Sequence, residues 1–412
     1  MDAVGARHAA AFLNVKPMPV ELAPATAAQL REALRDAAGS GQPIELGGNF
    51  SKRTMGGEVA PANVVVSTRA LTGVLSYEPK DLTISVAAGM KFRDLAGALA
   101  ANRQMLPLDP PYFEEASVGG VVASNCSGPR RRKYGTARDM VIGMKFCTLA
   151  GKEIQSGGMV VKNVTGLDMA KLLIGSFGTL ACIASVNFKV FPCPEEARTF
   201  GLSSDALDDL LGLRRELVGG ALQPTAIDLL NSEAARHLGF DLPARYSLLV
   251  EVSGNRAMMD RCRREFEQLA LAGGGVTLMS LAGEAAGSLW RSIRELTPVM
   301  QKAQPSAVVL RVSGLPGGIG QIVRAAGQRA VLVRAGAAVG YIYCSDAEDA
   351  RGCLAESRGA GLNTVVEHAP RGQREGLESW AQPGSEIEIM RLIKQRFDPN
   401  LLLNRGRMFD QI

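Results

Sequence analysis

Three glycine-dense stretches in the first half of the chain carry residues whose types and spacing suit anion and ring binding. In Glu45-Leu46-Gly47-Gly48-Asn49-Phe50-Ser51 a strand empties into two glycines and a serine. Consecutive backbone N–H groups with no side chains in front of them form a concavity that a pyrophosphate fills, since it needs many donors and close approach. A plain turn after a strand uses the same residues. The second stretch, Ala116 to Gly128, runs Ala-Ser-Val-Gly-Gly-Val-Val-Ala-Ser-Asn-Cys-Ser-Gly. Almost every side chain is small, so either a flat, bulky group or a tightly packed helix can lie against the backbone. Ser117, just before Gly119-Gly120, has the chemistry of a helix N-cap. In the third, Lys162 to Asp168 leads to Lys171 and on to Ile183. There Asp168 caps a helix beginning at Met169, and Gly175 to Thr179 forms a turn into a long strand whose backbone can meet a purine ring or serve structure alone.

Short elements must hold these loops. Helical spacing opens at Ala27, runs through Leu30, Leu34 and Ala37 and stops at Gly39. Strands follow at Ile44–Leu46, Val64–Val66, Val74–Tyr77 and Leu82–Val86, and a helix at Phe92–Ala101. Strands then return at Val141–Leu149 and Leu180–Val190. Pro192 and Pro194 mark a boundary. Beyond them longer helices such as Ala257–Ala270 alternate with strands such as Tyr246–Val252 and Ala307–Val312. The final helix, Glu386 to Phe397, ends at Asp398-Pro399-Asn400, and Asn404 to Met408 is expected to pack back on the rest of the protein. The expected division is 1–194, 195–375 and 376–412.

The chain has 412 residues, 46% of them apolar, and a net charge of +5. That length favours two domains, and that charge is too small to imply a nucleic-acid partner. Seven scattered cysteines form no C-x-x-C pair, which excludes a self-contained iron–sulfur cluster or zinc ribbon. Three histidines argue against a histidine-rich metal site. No apolar run is long enough to span a bilayer and no secretory signal stands at the start. The expected location is therefore the cytoplasm, with membrane association only through partner subunits.

In order and spacing, the three stretches resemble the FAD-binding domain of vanillyl-alcohol oxidase, p-cresol methylhydroxylase (PCMH) and the D-2-hydroxyacid dehydrogenases. The second stretch, followed by Lys133-Tyr134-Gly135-Thr136-Ala137-Arg138-Asp139, is similar to that family's A-T/S-x-G-G-x-x-A-x-N-x-x-G and R/K-Y-G-x-x-R-D patterns. Phe397 to Met408, F-D-P-N-L-L-L-N-R-G-R-M, is similar to its D-P-x-x-x-L-N-P-G-R ending. The resemblance implies an α+β fold: a two-subdomain PCMH-type FAD-binding domain, an α/β cap, and a C-terminal segment returning to the first domain. It places the FAD pyrophosphate on Gly47, Gly48, Asn49, Phe50 and Ser51. It places the flavin and ribityl chain along Pro111, Ser117, Gly119, Gly120, Val122, Ala123, Ser124 and Asn125, with Gly128, Gly135 and Asp139 in the same motif. The adenine end falls on Phe177, Gly178 and Ile183. Some relatives tether flavin through a histidine in the first loop; none stands between Leu46 and Arg53, so FAD is expected without a covalent link.

Departures narrow the resemblance. Phe177 replaces a common glutamate, Ala181 a glycine, Leu167 a tyrosine and Arg405 a proline, and the second half lacks clustered histidines. The pattern is similar to the smaller FAD-binding subunit of glycolate oxidase. That implies oxidation of a 2-hydroxyacid beside a catalytic flavoprotein subunit and an iron–sulfur subunit that takes the electrons. Two other readings stay open: a self-sufficient dehydrogenase, and a non-catalytic subunit that stabilises the complex. No catalytic residue and no metal ligand is assigned. His368, alone beside Pro370, reads as structural or catalytic. Arg291 and Arg294 read as a solvated helix face or a carboxylate site. The run Arg130-Arg131-Arg132-Lys133 reads as a solvated loop or a docking surface for an acidic partner.

Overall fold

The computed structural model describes residues 18–159, 167–273 and 275–409; Lys162 to Gly166 of the third stretch lies outside them. The first half contains a three-stranded and a five-stranded sheet, besides a two-stranded pairing of Gln104–Met105 with Phe191–Pro192. A three-stranded parallel sheet places Val64–Ser67 between Val20–Leu22 and Ile44–Gly47. Helix Ala27–Gly39 covers it, with Leu30, Leu34 and Ala37 turned inward and Thr26 capping by accepting from Gln29 N. A five-stranded antiparallel sheet runs in the order Val74–Glu78, Thr83–Ala87, Cys182–Lys189, Val141–Cys147, Glu153–Gly157. Ile84, Val86, Phe146, Val186 and Phe188 pack there against Leu95, Leu99, Val121 and Val122 from helices Phe92–Ala100 and Val118–Ala123. Each such side chain contributes about 1.5–3 kcal/mol by leaving water.

From Glu196 the chain builds an eight-stranded antiparallel sheet. Its central strands run Ala226–Asn231, Ala330–Arg334, Val339–Cys344, Val308–Ser313, with Asn363–His368 at one edge. Side chains alternate across a strand. Leu310, Val312, Val331, Val333 and Ile342 meet helices Leu207–Gly219, Arg256–Ala272, Ile319–Ala326 and Ala347–Gly359 on one face. On the other face Leu332 and Tyr343 meet Trp290, Ile293 and Met300. This second face also carries Arg311, Arg334, Tyr341 and Glu367, and it looks back at the first half.

The basic run joins the halves, and neither reading from sequence describes it. The Arg130 guanidinium donates to Glu251 at 3.1 Å and to Asp109 at 3.4 Å. Arg132 donates to Gly336 O at 3.3 Å, and Lys133 to Ser253 Oγ at 3.2 Å. Three of the four cations are thus spent inside the chain.

The C-terminal helix Glu386–Phe397 returns to the first half. Its buried Lys394 ammonium donates to Thr179 O (2.7 Å), Leu403 O (3.1 Å) and Asp398 Oδ2 (2.8 Å). Leu403 bridges Ile44 alongside the three-stranded sheet. Among the described residues no helix is long and apolar enough to cross a membrane. All seven cysteines are free thiols, six of them buried.

Candidate active site: a glycine-lined cleft opening into a polar cavity

The first loop leaves its strand at Gly47 and reverses at Phe50, whose φ of +55° is rare for a bulky residue. The backbone N–H groups of Gly48, Asn49, Phe50, Ser51 and Lys52 meet no acceptor among the described residues. Such a row of free donors is what a pyrophosphate requires. A Cβ on Gly48 would lie 2.0 Å from Ser117 Oγ, so glycine is what lets the first and second loops touch. Ser117 in turn caps Val118–Ala123 by accepting from Gly120 N.

Gly47, Gly48, Phe50, Ser51, Ser117, Gly119, Gly120, Ala123, Ser124, Phe177, Gly178 and Ile183 line one cleft. Pro111, Ser124, Asn125 and Phe177 line a second cavity beneath the eight-stranded sheet. Ser124 and Phe177 line both, so the two spaces adjoin. Five residues expected at the site, Asn49, Val122, Gly128, Gly135 and Asp139, line neither space. Val122 is buried, and its carbonyl accepts from Gly175 N. Gly128 backs onto Asp109, and Gly135 abuts the Asp139 carboxylate, which accepts from Thr136 N in a capping box. The Asn49 amide donates to Glu115 O at 2.9 Å.

The second cavity gathers Arg131 of the basic run with residues that sequence reasoning missed: Arg311, Arg334, Tyr341, Tyr343 and Glu367. Arg334 is paired with fully buried Asp228, whose carboxyl burial pushes up to about 6. Tyr343 shares a hydrogen bond with Thr297. Arg131, Arg311, Tyr341 and Glu367 have no side-chain hydrogen bond to any described residue. Burial raises the Glu367 carboxyl, opposed by the charges of Arg311 and Arg131. Burial lowers the Arg131 guanidinium.

A bulge creates part of this constellation. His368 stands opposite Val309 and Val366 opposite Leu310, leaving Glu367 as the extra residue. The register shift turns Glu367 and His368, adjacent in sequence, toward the same cavity. The strand then continues onto the first half: Gly56 N donates to Glu367 O at 3.0 Å and Ala369 N to Thr54 O at 3.1 Å. His368 Nδ1 lies 3.2 Å from Thr54 Oγ1. Burial, with Lys52 nearby, pushes the imidazole down to about 3, so the ring is neutral near pH 7.

Of the two arginines singled out from sequence, Arg291 is exposed and pairs with Glu284. Arg294 reaches the cavity wall, but its guanidinium stacks 3.9 Å from the Phe113 ring centre and pairs with Glu295. One signal could have found Arg311: a charge inside the apolar run Val308–Ser313, where burial demands a partner or a use.

Comparison with known proteins agrees with this geometry. Residues 19–157 match a family described as an FAD binding domain. Glycolate oxidase subunit GlcE of Escherichia coli is 32% identical over 267 residues, covering 65% of this chain and 67% of that protein. Glycolate oxidase subunit GlcD of Bacillus subtilis is 23% identical over 84% of this chain and 79% of its own length. The fold matches p-cresol methylhydroxylase with a TM-score of 0.73 at 15% identity, over 94% of this chain and 88% of that one. These are PCMH-type flavoproteins. The chain belongs to the family of FAD-linked oxidoreductases that includes GlcE.

Proposed function

We propose that the cleft holds FAD without a covalent link and that the adjoining cavity admits a small 2-hydroxyacid for oxidation. The observation that carries this reading is that a loop of free backbone donors adjoins a cavity bearing guanidinium groups unpaired among the described residues. Gly47 to Ser51 would hold the pyrophosphate, the wall from Pro111 to Asn125 the ring system, and Phe177 to Ile183 the adenine end. Bound there, FAD supplies a two-electron acceptor. Arg311 and Arg131 draw in the substrate carboxylate and orient it. Glu367 takes the hydroxyl proton: burial raises this carboxylate toward the basicity that suits a general base, whereas it takes His368 far below that range. His368 remains a neutral ring beside it.

Similarity to the two glycolate oxidase subunits supports a chain that works in a multi-subunit complex. In this reading a second flavoprotein subunit and an iron–sulfur subunit accompany it, and electrons leave through the latter. The purified chain, mixed anaerobically with glycolate or D-lactate, tests catalysis: substrate bleaches the flavin absorbance. A yellow protein that stays oxidised would mark a stabilising subunit instead. Acid precipitation separates the remaining alternative, since flavin left in the pellet would mean a covalent bond.

A further inference from the structure

Lys52 is the least expected residue of the site. It closes the donor loop and lines the cofactor cleft, yet its ammonium nitrogen is sealed from solvent and has no hydrogen-bond partner among the described residues. The described residues around it offer no neutralising anion within ion-pair distance. The Tyr112 ring centre lies 5.7 Å away. The Glu295 carboxylate is nearby but engaged, accepting from Tyr112 N at 2.9 Å, Phe113 N at 3.1 Å and Arg294 Nε at 3.0 Å. Burial keeps the Cys126 thiol protonated, and His368 is neutral. Desolvation also draws the Lys52 ammonium below its ordinary range. A buried, unpaired ammonium is costly, and a fold retains one where a bound group completes it.

The position says which part of a bound group that is. The Tyr112 ring that the ammonium faces lies 5.8 Å, centre to centre, from the His368 ring, and His368 lines the second cavity. The ammonium therefore sits on the side of the cofactor cleft that adjoins the proposed substrate space, the place of the reacting ring and not of the adenine.

We propose that Lys52 is the charge that stabilises the reduced isoalloxazine, paired with the negative charge the ring acquires when oxidation of substrate delivers two electrons and one proton to it. This inference rests on the reading that the cleft holds FAD. A 2-hydroxyacid gives up its α-hydrogen with both bonding electrons and its hydroxyl proton to a base, so the ring gains one net negative charge and the acid becomes a 2-oxoacid. An ammonium already dehydrated and fixed interacts with that charge strongly and pays no reorganisation.

The test is the flavin reduction potential and the affinity for sulfite, which adds to the ring and leaves it negatively charged, in wild type, K52M and K52R. FAD retained by the wild type establishes the underlying reading; a colourless wild type sinks that reading and this inference together. With FAD bound, K52M is expected to bind sulfite at least tenfold more weakly. Its potential is expected to fall by a similar factor, about 30 mV for a two-electron couple. K52R is expected to recover much of the loss, because it restores the charge. A K52M protein that binds FAD with unchanged potential and sulfite affinity overturns the inference. Should only the affinity for 2-hydroxyacid or an unreactive carboxylate analogue fall, Lys52 serves the substrate and the inference is equally lost.

Discussion

Asn404 holds Leu46 by both ends of its amide: Oδ1 accepts from Leu46 N at 2.8 Å and Nδ2 donates to Leu46 O at 3.0 Å. The same Nδ2 donates to Phe177 O at 2.8 Å. One side chain from the tail thus pins the strand feeding the first loop to the turn that carries the proposed adenine end. Lys394, Asp398 and the Leu403–Ile44 bridge hold Asn404 in place.

Replacing Asn404 by alanine strands three buried backbone groups. The expected cost is about 2–4 kcal/mol of stability. FAD affinity is expected to fall at least tenfold, since the two loops lose their common register. Flavin fluorescence titration and denaturant unfolding measure the two effects. Unchanged FAD affinity in a destabilised protein would reduce Asn404 to a structural tie.

Gly48→Ala tests the contact between loops. Its Cβ collides with Ser117 Oγ at 2.0 Å and Ser117 Cβ at 2.7 Å, and the next atom, Thr68 Oγ1, is 3.5 Å away. The single variant is expected to lose FAD on gel filtration. The double variant Gly48→Ala/Ser117→Gly removes both colliding atoms and is expected to recover part of the binding.

In the cavity, Arg311→Gln is expected to raise KM for a 2-hydroxyacid by ten- to a hundredfold, the loss of about 1.4–2.7 kcal/mol of carboxylate binding. Glu367→Gln is expected to lower kcat by 10²–10⁴-fold while leaving KM near its wild-type value. Neither substitution should alter the visible spectrum of bound flavin. Equal kinetics in wild type and Glu367→Gln would remove this carboxylate from the mechanism.

His368 gives a pH signature. Its folded pKa, about 3, lies below the unfolded value near 6.5, so the unfolded state binds the extra proton. Stability is therefore full above about pH 6.5 and declines as pH falls toward 3, by at most about 1.4 kcal/mol per pH unit. Burial raises Asp228 and Glu367, and these contribute with the opposite sign as pH falls. Unfolding curves for wild type and His368→Asn between pH 4 and 7 isolate the histidine: the slope difference is the prediction, and parallel curves would refute it.

The loops were legible in the sequence because their information is local. Gly47-Gly48, Ala116 to Gly128 and the tail through Met408 each place small or capping residues a few positions apart, and the structure brings Gly48, Ser117, Gly178 and Asn404 to one cleft. Helix Glu386–Phe397 and the Asp168 cap were legible for the same reason. The cavity was not. Arg311 stands opposite Tyr341 on one side and Val365 on the other, pairings set by a strand order that departs from chain order. Alternation from Val365 carries Glu367 to the cavity, but His368 joins it there only through a bulge, which no period-two pattern announces. The basic run misled for a related reason: its acidic partner, Glu251, lies 121 residues away in the same chain.

The Asn404 tie has a consequence for biosynthesis. Leu46 leaves the ribosome 358 residues before the side chain that completes its surroundings, a wait of roughly 20–70 s at ordinary elongation rates. During that interval the glycine loops exist without their clasp. Cofactor loading is thereby placed late in the life of the nascent chain, after the eight-stranded sheet has been made and as the tail closes over the finished cradle.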